Sequence, residues 1–229
     1  MQFQGLDGRV TAIRDRIAGA VQRGGHGQHV RLIAVTKTHG ADAVDAAWDV
    51  GIRDVGENKV QEALDKQPVV APRAASVRWH LIGHLQRNKV KHLGHFALLH
   101  AMDSARLAYA VHEFGMARGA PMDVLVQVNI VGETTKGGYE PTMLAGEAER
   151  LLGLGGLRVL GVMTMAPLDA DEATLRRVFR GARAAREVLA RAGHPATELS
   201  MGMSGDFEVA VEEGATMVRV GTVLFGARA

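Results

Sequence analysis

From Arg31 almost to the end of the chain, short apolar runs alternate with longer amphipathic stretches. Eight runs have the length and aliphatic character of buried parallel strands. They are RLIAVT (31–36), IRDVG (52–56), VRWHLIG (77–83), LLHAMD (98–103), MDVLVQVNI (122–130), LRVLGVMT (157–164), ATELSMG (196–202) and TMVRVG (216–221). Between them, stretches such as 42–50, 104–118, 141–152 and 172–191 carry apolar residues at helical spacing. Ahead of the first run, Leu6, Val10, Ile13, Ile17 and Val21 mark a further helix that GGHGQ ends. Eight strand–helix units predict one α/β domain over 1–229, a single (β/α)8 TIM-type barrel with an extra N-terminal helix. An open doubly wound sheet is the alternative. Its dinucleotide-binding version is disfavoured because no GxGxxG opens a helix after the first strand.

Composition narrows the function. The 229 residues are 47% hydrophobic and 23% charged, enough for a sizeable core. Lys and Arg number 27 against 25 Asp and Glu, a balance that argues against a nucleic-acid partner. There is no cysteine, which excludes disulfides, thiolate nucleophiles and cysteine metal sites. No apolar run is long enough to span a membrane, and MQFQGLDGRV lacks a signal-peptide core, so a cytoplasmic location is expected.

Parallel barrels place their chemistry at the C-terminal ends of the strands. The polar residues found there are Thr36, Lys37, Thr38 and His39; Glu57 and Asn58; His84, Gln86 and Asn88; Asn129, Thr134 and Lys136; Ser204; and Gly221 with Thr222. Lys37 leaves an aliphatic strand. Desolvation there favours the neutral amine that Schiff-base formation needs. A rim lysine reaching to water is the simpler alternative. Ser204–Asp206 open a helix, and Gly221 and Thr222 precede a short turn. Together they offer amides and two hydroxyls as an anion cradle, unless they are only a cap and a turn. Alternation puts Met217, Arg219 and Gly221 on one face of the last strand; one reading turns Arg219 inward, paired inside the barrel, and the alternative is an outward Arg219, where an unpaired charge would be costly. His80 and His84 are four apart, but without HExxH or a nearby carboxylate in sequence they make a poor zinc pair. Lys89, Lys91 and His92 are read as a solvated helix face. Met201 and Met203 are candidates to pack on a flat ring. Lys136, between TT and GG, is a candidate accessory amine.

The motifs AVTK (34–37), VGENKVQEALDK (55–66), WHLIGHLQRNK (79–89), VNIVGETTKGG (128–138) and LSMGMSGDFEVAVEEGATMVRVGTVLFGAR (199–228) cover nearly the whole chain. In them the sequence resembles the YggS/PROSC family, the pyridoxal 5′-phosphate (PLP) homeostasis proteins. The resemblance implies PLP held as a Schiff base on Lys37. It implies phosphate contacts from Ser204, Gly221 and Thr222, Arg219 facing the pyridine nitrogen, and Asn58 near the ring. Lys59 departs from a pattern in which an aromatic or other residue often follows GEN, so the ring's edge is not carried over. The family also implies a monomer, with PLP-dependent apoenzymes as recipients of the cofactor.

The same motifs are similar to the barrel domain of alanine racemases and related PLP decarboxylases, which add a β-rich domain supplying catalytic groups. The sequence stops at Ala229, soon after the eighth run, so that half is expected to be missing. Arginine stays protonated and only donates, so the nitrogen it faces stays unprotonated, a weak electron sink. The two tyrosines, Tyr109 within a helical stretch and Tyr139 on a loop, are not expected to supply an acid or base. A PLP carrier without turnover is therefore the expectation. A PLP-dependent amino-acid racemase or lyase is the alternative, and a barrel forming a Schiff base with its own substrate, as in class I aldolases, is a third.

Overall fold

The computed structural model describes residues 3–133 and 137–226. Thr134 and Lys136 lie outside the described residues. Every apolar run contains a strand: β1 (Arg31–Val35), β2 (Asp54–Glu57), β3 (Arg78–Leu81), β4 (Leu98–Met102), β5 (Met122–Gln127), β6 (Leu157–Met163), β7 (Glu198–Ser200) and β8 (Met217–Val220). They pair in chain order, all parallel, and β8 returns to β1 to close a barrel. The helices are α1 (Leu6–Gly24), α2 (Ala41–Asp49), α3 (Val60–Lys66), α4 (Ala105–Ala117), α5 (Leu144–Leu152), α6 (Glu172–Ala192), α7 (Phe207–Glu212) and α8 (Thr222–Phe225). The connection from β3 to β4 is a 3-10 helix, Arg87–His95, which carries Lys89, Lys91 and His92.

Alternation along each strand builds two separate cores. Ala34, Val55, Leu81, Val124, Val162 and Val218 face out and pack under the helices. Ile33, Leu98, Ala101, Leu125, Met163 and Met217 fill the barrel itself. A register shift in β4 between Leu99 and Met102 lets Leu98 and Ala101 both turn inward.

Most strands are a few residues shorter than their runs, and two starting points differ for a clear reason. The second strand starts at Asp54 instead of Ile52, because the Ile52 N–H closes the end of α2 by donating to the Ala47 carbonyl at 2.9 Å. The seventh helix starts at Phe207 instead of Ser204. The carboxylate of Asp206 accepts from the Met203 N–H at 2.5 Å and holds 203–206 as a turn.

The extra N-terminal helix braces one side of the barrel mouth. α1 lies along α7 and α8. Arg16 pairs with Glu208, Arg23 with Glu208 and Glu212, and Arg9 Nε donates to the Leu224 carbonyl at 2.7 Å. Exposed pairs of this kind hold orientation more than they add stability. A Cβ on Gly24 would lie 2.5 Å from the Glu212 carbonyl oxygen, so α1 meets α7 backbone to backbone.

A similar contact sets α4. A Cβ on Gly115 would sit 1.7 Å from the Gly156 carbonyl oxygen, whereas one on Gly146, in α5, would meet nothing within 4 Å. Gly115→Ala is therefore expected to lose about 1–3 kcal/mol by overpacking. Gly146→Ala should gain roughly 0.5–1 kcal/mol from helix propensity. Thermal melting of the two variants checks this: the same chemical change should move Tm in opposite directions.

Candidate functional site

Strand register alone gathers the predicted residues on one rim. Val35 pairs with Gly56, which sets Lys37 beside Asn58 two residues on. Ala34 pairs with Val220, which sets Val35 beside Gly221 and brings Thr222 to the end of β1. A Cβ on Gly221 would meet the Val35 carbonyl oxygen at 3.2 Å, confirming that close approach. The loop after β7 joins them because Arg219 N–H donates to the Gly202 carbonyl at 3.0 Å. Lys37, Asn58, Ser204, Arg219, Gly221 and Thr222 thus come from β1, β2, β7 and β8 at their C-terminal ends. Gly83 lets the end of β3 pass this rim, since a Cβ there would lie 2.3 Å from the Asn58 carbonyl oxygen.

Lys37 is half-buried, and the turn that carries it is clamped from behind. Thr36 faces outward, fully buried, and its hydroxyl donates to Glu57 Oε1 at 2.6 Å. Lys66 from α3 donates to the same Glu57 oxygen at 2.7 Å, to the Thr36 carbonyl at 2.9 Å and to Glu62 at 3.0 Å. Glu62 also accepts from the Thr38 N–H, and Thr38 takes the left-handed backbone, φ 68°. Burial pushes the Glu57 carboxyl up, opposed by the bonds from Lys66 and Thr36. Removing one member of such a buried pair typically costs about 3–5 kcal/mol, so the turn at Lys37 is rigidly founded. An aromatic trio ties this loop to α8: His39 and Phe225 at 5.3 Å between ring centroids, Phe3 and Phe225 at 5.4 Å.

The opposite part of the rim is rich in donors. The hydroxyls of Ser204 and Thr222 and the amides of Ser204, Gly205, Thr222 and Val223 are committed to no other described residue. They start the turns into α7 and α8, where amides favour an anion. Asp206 stands nearby. Burial pushes its carboxyl up, against its bond from Met203 and the field of Arg219.

Arg219 points into the barrel on the same face as Met217, the inward of the two readings, and is 5% exposed. Its Nη1 donates to Ser200 Oγ at 2.6 Å and its Nη2 to the Thr164 carbonyl at 3.0 Å. Burial lowers its guanidinium to about 10, with Asp206 opposing, so it is protonated at neutral pH. Below it lies a buried polar chain the sequence did not reveal. Ser200 Oγ is 2.8 Å from His100 Nδ1, His100 Nε2 is 2.9 Å from His80 Nδ1, and His80 Nε2 is 2.8 Å from Asp54 Oδ1. Strand parity was the available signal, since it aims His80 and Ser200 inward. His100 shares the inward parity of Leu98, two residues before it. The buried Lys66 had no signal beyond helical spacing from Glu62.

Several readings change. His80 and His84 do have carboxylates: Asp54 on His80, and Asp103 Oδ2 at 2.7 Å from His84 Nδ1. Two strand ends supply them, which adjacency in sequence does not show. The two histidines still do not converge, and among the described residues no group of three or more His, Asp or Glu is placed to hold a metal. Met201 is wholly buried in the outer core and cannot face a ring at the mouth, whereas Met203 is exposed. Tyr109 is exposed on α4. Tyr139 is buried beside β5, where burial pushes its hydroxyl up to about 12.

Residues 9–229 match the family model described as the alanine racemase N-terminal domain. A pyridoxal phosphate homeostasis protein from Aquifex aeolicus is 41% identical, over 96% of this chain and 97% of that one. The chain belongs to the pyridoxal phosphate homeostasis protein family. A structure of one similar protein, PipY of Synechococcus elongatus PCC7942, has PLP bound; it is 36% identical, covers 96% of this chain and all of that one, and superposes with a TM-score of 0.84. Alanine racemase from Corynebacterium glutamicum, 19% identical with a TM-score of 0.71, shares the barrel over 93% of this chain and 61% of its own length. No helix among the described residues is long and apolar enough to cross a membrane.

The buried chain gives the site a pH signature. Burial holds His80 and His100 below the ordinary histidine range, and for His80 the bond to Asp54 only partly opposes this. In the unfolded chain each titrates near its ordinary value of about 6.5. Below that pH the unfolded chain binds protons that the folded chain refuses, so stability falls as pH drops. Urea unfolding should show a progressive loss of stability from pH 7 to pH 5 and a shallower loss in His100→Gln. A wild-type stability that does not change over that interval would contradict neutral, buried histidines.

Proposed function

We propose that this protein holds PLP at the barrel mouth as a Schiff base on Lys37 and serves intracellular PLP homeostasis as a carrier or reservoir, without catalytic turnover. The observation that carries this reading is one rim bearing a half-buried amine, uncommitted anion donors and a buried guanidinium, in a chain whose relatives are PLP homeostasis proteins. Those three features fit the three ends of PLP: aldehyde, phosphate and ring nitrogen. Lys37 takes the aldehyde. Ser204, Gly221 and Thr222, with the amides that start α7 and α8, take the phosphate. Arg219 faces the nitrogen, and Asn58, beside Lys37 across β1 and β2, lies along the ring. Bound PLP supplies an aldehyde for amines and an electron-withdrawing ring.

The residues of this chain restrain that ring. Arg219 is protonated and only donates, so the nitrogen it meets must accept and remain unprotonated. A ring in that state draws electrons weakly and leaves carbanion chemistry dependent on a well-placed acid or base. Neither tyrosine offers one: Tyr109 lies out on α4, and the raised hydroxyl of Tyr139 is a poor acid. We read residues 1–229 as one domain acting as a monomer in the cytoplasm, with PLP-dependent apoenzymes as recipients. The barrel shared with alanine racemase keeps an amino-acid racemase or lyase as the competing reading.

Three measurements test this. Borohydride reduction of PLP-loaded protein followed by peptide mapping should place the adduct on Lys37 and lose it in Lys37→Ala; an adduct mainly on another lysine refutes the assignment. Ser204→Ala and Thr222→Val each remove a bond to a charged group worth about 1.5–3 kcal/mol, so PLP affinity should fall roughly ten-fold or more. Pyridoxal, which lacks the phosphate, should bind weakly and be indifferent to both. Deuterium incorporation at Cα across a panel of amino acids in heavy water should stay negligible; enzyme-like rates that vanish in Lys37→Ala would establish the racemase or lyase reading instead.

A further inference from the structure

The polar chain inside the barrel has a direction, and Arg219 sets it. A guanidinium only donates, so Ser200 Oγ accepts from Arg219 Nη1. The Ser200 proton must then go to its other neighbour, His100 Nδ1, 2.8 Å away. A neutral imidazole that accepts at Nδ1 carries its proton on Nε2, and His100 Nε2 faces His80 Nδ1 at 2.9 Å. The same logic places the His80 proton on Nε2, where it is donated to Asp54 Oδ1 at 2.8 Å. Asp54 closes the chain at the N-terminal end of the barrel, gripped by both arms of Arg78 at 2.8 and 2.6 Å. Although burial pushes its carboxyl up, the bonds from His80 and Arg78 hold it below the usual range. Every link points the same way, from Arg219 down to Asp54.

The surroundings enforce this polarity. His80 and His100 are 2% and 0% exposed. The charged groups acting on them are Arg31, itself paired with Glu198, Arg78 and Arg219 on the positive side and Asp54 on the negative. A second proton on His100 would set a donor at Nδ1 against the Ser200 hydroxyl that donates to it, with Arg219 and Arg31 adding to the positive field there.

We infer that Asp54, His80, His100 and Ser200 are positioning residues, a one-way hydrogen-bond chain that aims Arg219 and makes the site select a pyridine ring whose nitrogen is an unprotonated acceptor. The selection rests on the reading of this rim as a PLP site, whereas the chain itself does not. A merely structural chain would stabilise the barrel without ranking ligands by their ring atom.

Two measurements on the full chain separate these. The first is ¹⁵N NMR of the histidines in the ligand-free protein. His80 and His100 should both be neutral at pH 7.5 with the proton on Nε2; a charged ring or an Nδ1–H tautomer at either position overturns the chain whether or not PLP binds. The second is the ratio of affinities for PLP and its 1-deaza analogue, in which carbon replaces the ring nitrogen. Wild type should prefer PLP by about ten-fold or more, the worth of one hydrogen bond to a charged donor. Ser200→Ala and His100→Gln should bring the ratio towards unity, Ser200→Thr should keep it by retaining the hydroxyl, and Ser204→Ala should weaken both ligands alike. A ratio undiminished in Ser200→Ala and His100→Gln overturns the positioning role. No preference in wild type overturns the placement of Arg219 against the nitrogen, and the ligand selection with it. Loss of PLP binding altogether would refute the PLP reading, while the histidine tautomers would still decide the chain.

Discussion

A guanidinium almost sealed inside the barrel, with no carboxylate among the described residues in contact, governs much of the interior. Removing a full charge from water carries a penalty of several kcal/mol even after relaxation. Arg219 offsets part of this through Ser200 Oγ and the Thr164 carbonyl, and part through the field of Asp206. The other interior groups follow from it. A second positive charge beside it would be prohibitive, so the histidines below are held neutral, and their only route to satisfied hydrogen bonds ends on an acid at the far end of the barrel. The interior is therefore divided between an apolar filling of Ile33, Leu98, Leu125, Met163 and Met217 and one continuous polar seam.

The mouth is built on the opposite principle, held from outside the barrel instead of within it. Thr36, Glu57 and Lys66 lie between the strands and α3, and they fix the backbone from which Lys37 emerges. α1 presses on α7 and α8, the helices whose first amides face the proposed phosphate, and the trio of Phe3, His39 and Phe225 links that side to the loop after β1. Loops normally carry function on a rigid scaffold at the price of mobility. Here a buried ion pair and a packed helix limit that mobility on both sides of the rim. Such restraint suits a protein whose proposed task is to hold a reactive aldehyde instead of turning it over.

The architecture was readable because parallel barrel strands are buried on both faces and stand out as aliphatic runs, and because barrel chemistry collects where those runs end. That reasoning placed Lys37, Asn58, Ser204, Gly221 and Thr222 among a longer set of rim candidates, with Arg219 just inside; the family resemblance singled these six out, and strand register gathers them on one rim. It failed where contact depends on neighbours distant in sequence. His80 seemed to lack a carboxylate because Asp54 lies 26 residues away and meets it only across β2 and β3. Met201 seemed available to a ring until the strand's parity turned it into the outer core.

The amino-acid sequence by itself determined the eight-unit barrel, the rim on which the candidate site lies and the amine at its centre, since these follow from local periodicity and from which residue ends each run. Only the tertiary structure decided how Arg219 is held, that Lys66 founds the turn at Lys37, and that α1 braces the phosphate side. Those depend on barrel closure: His80 on β3 and His100 on β4 meet Ser200 on β7 across the interior, and pairing β8 with β1 brings residues nearly two hundred positions apart into contact. Periodicity records which face a side chain takes, but not which partner waits on that face.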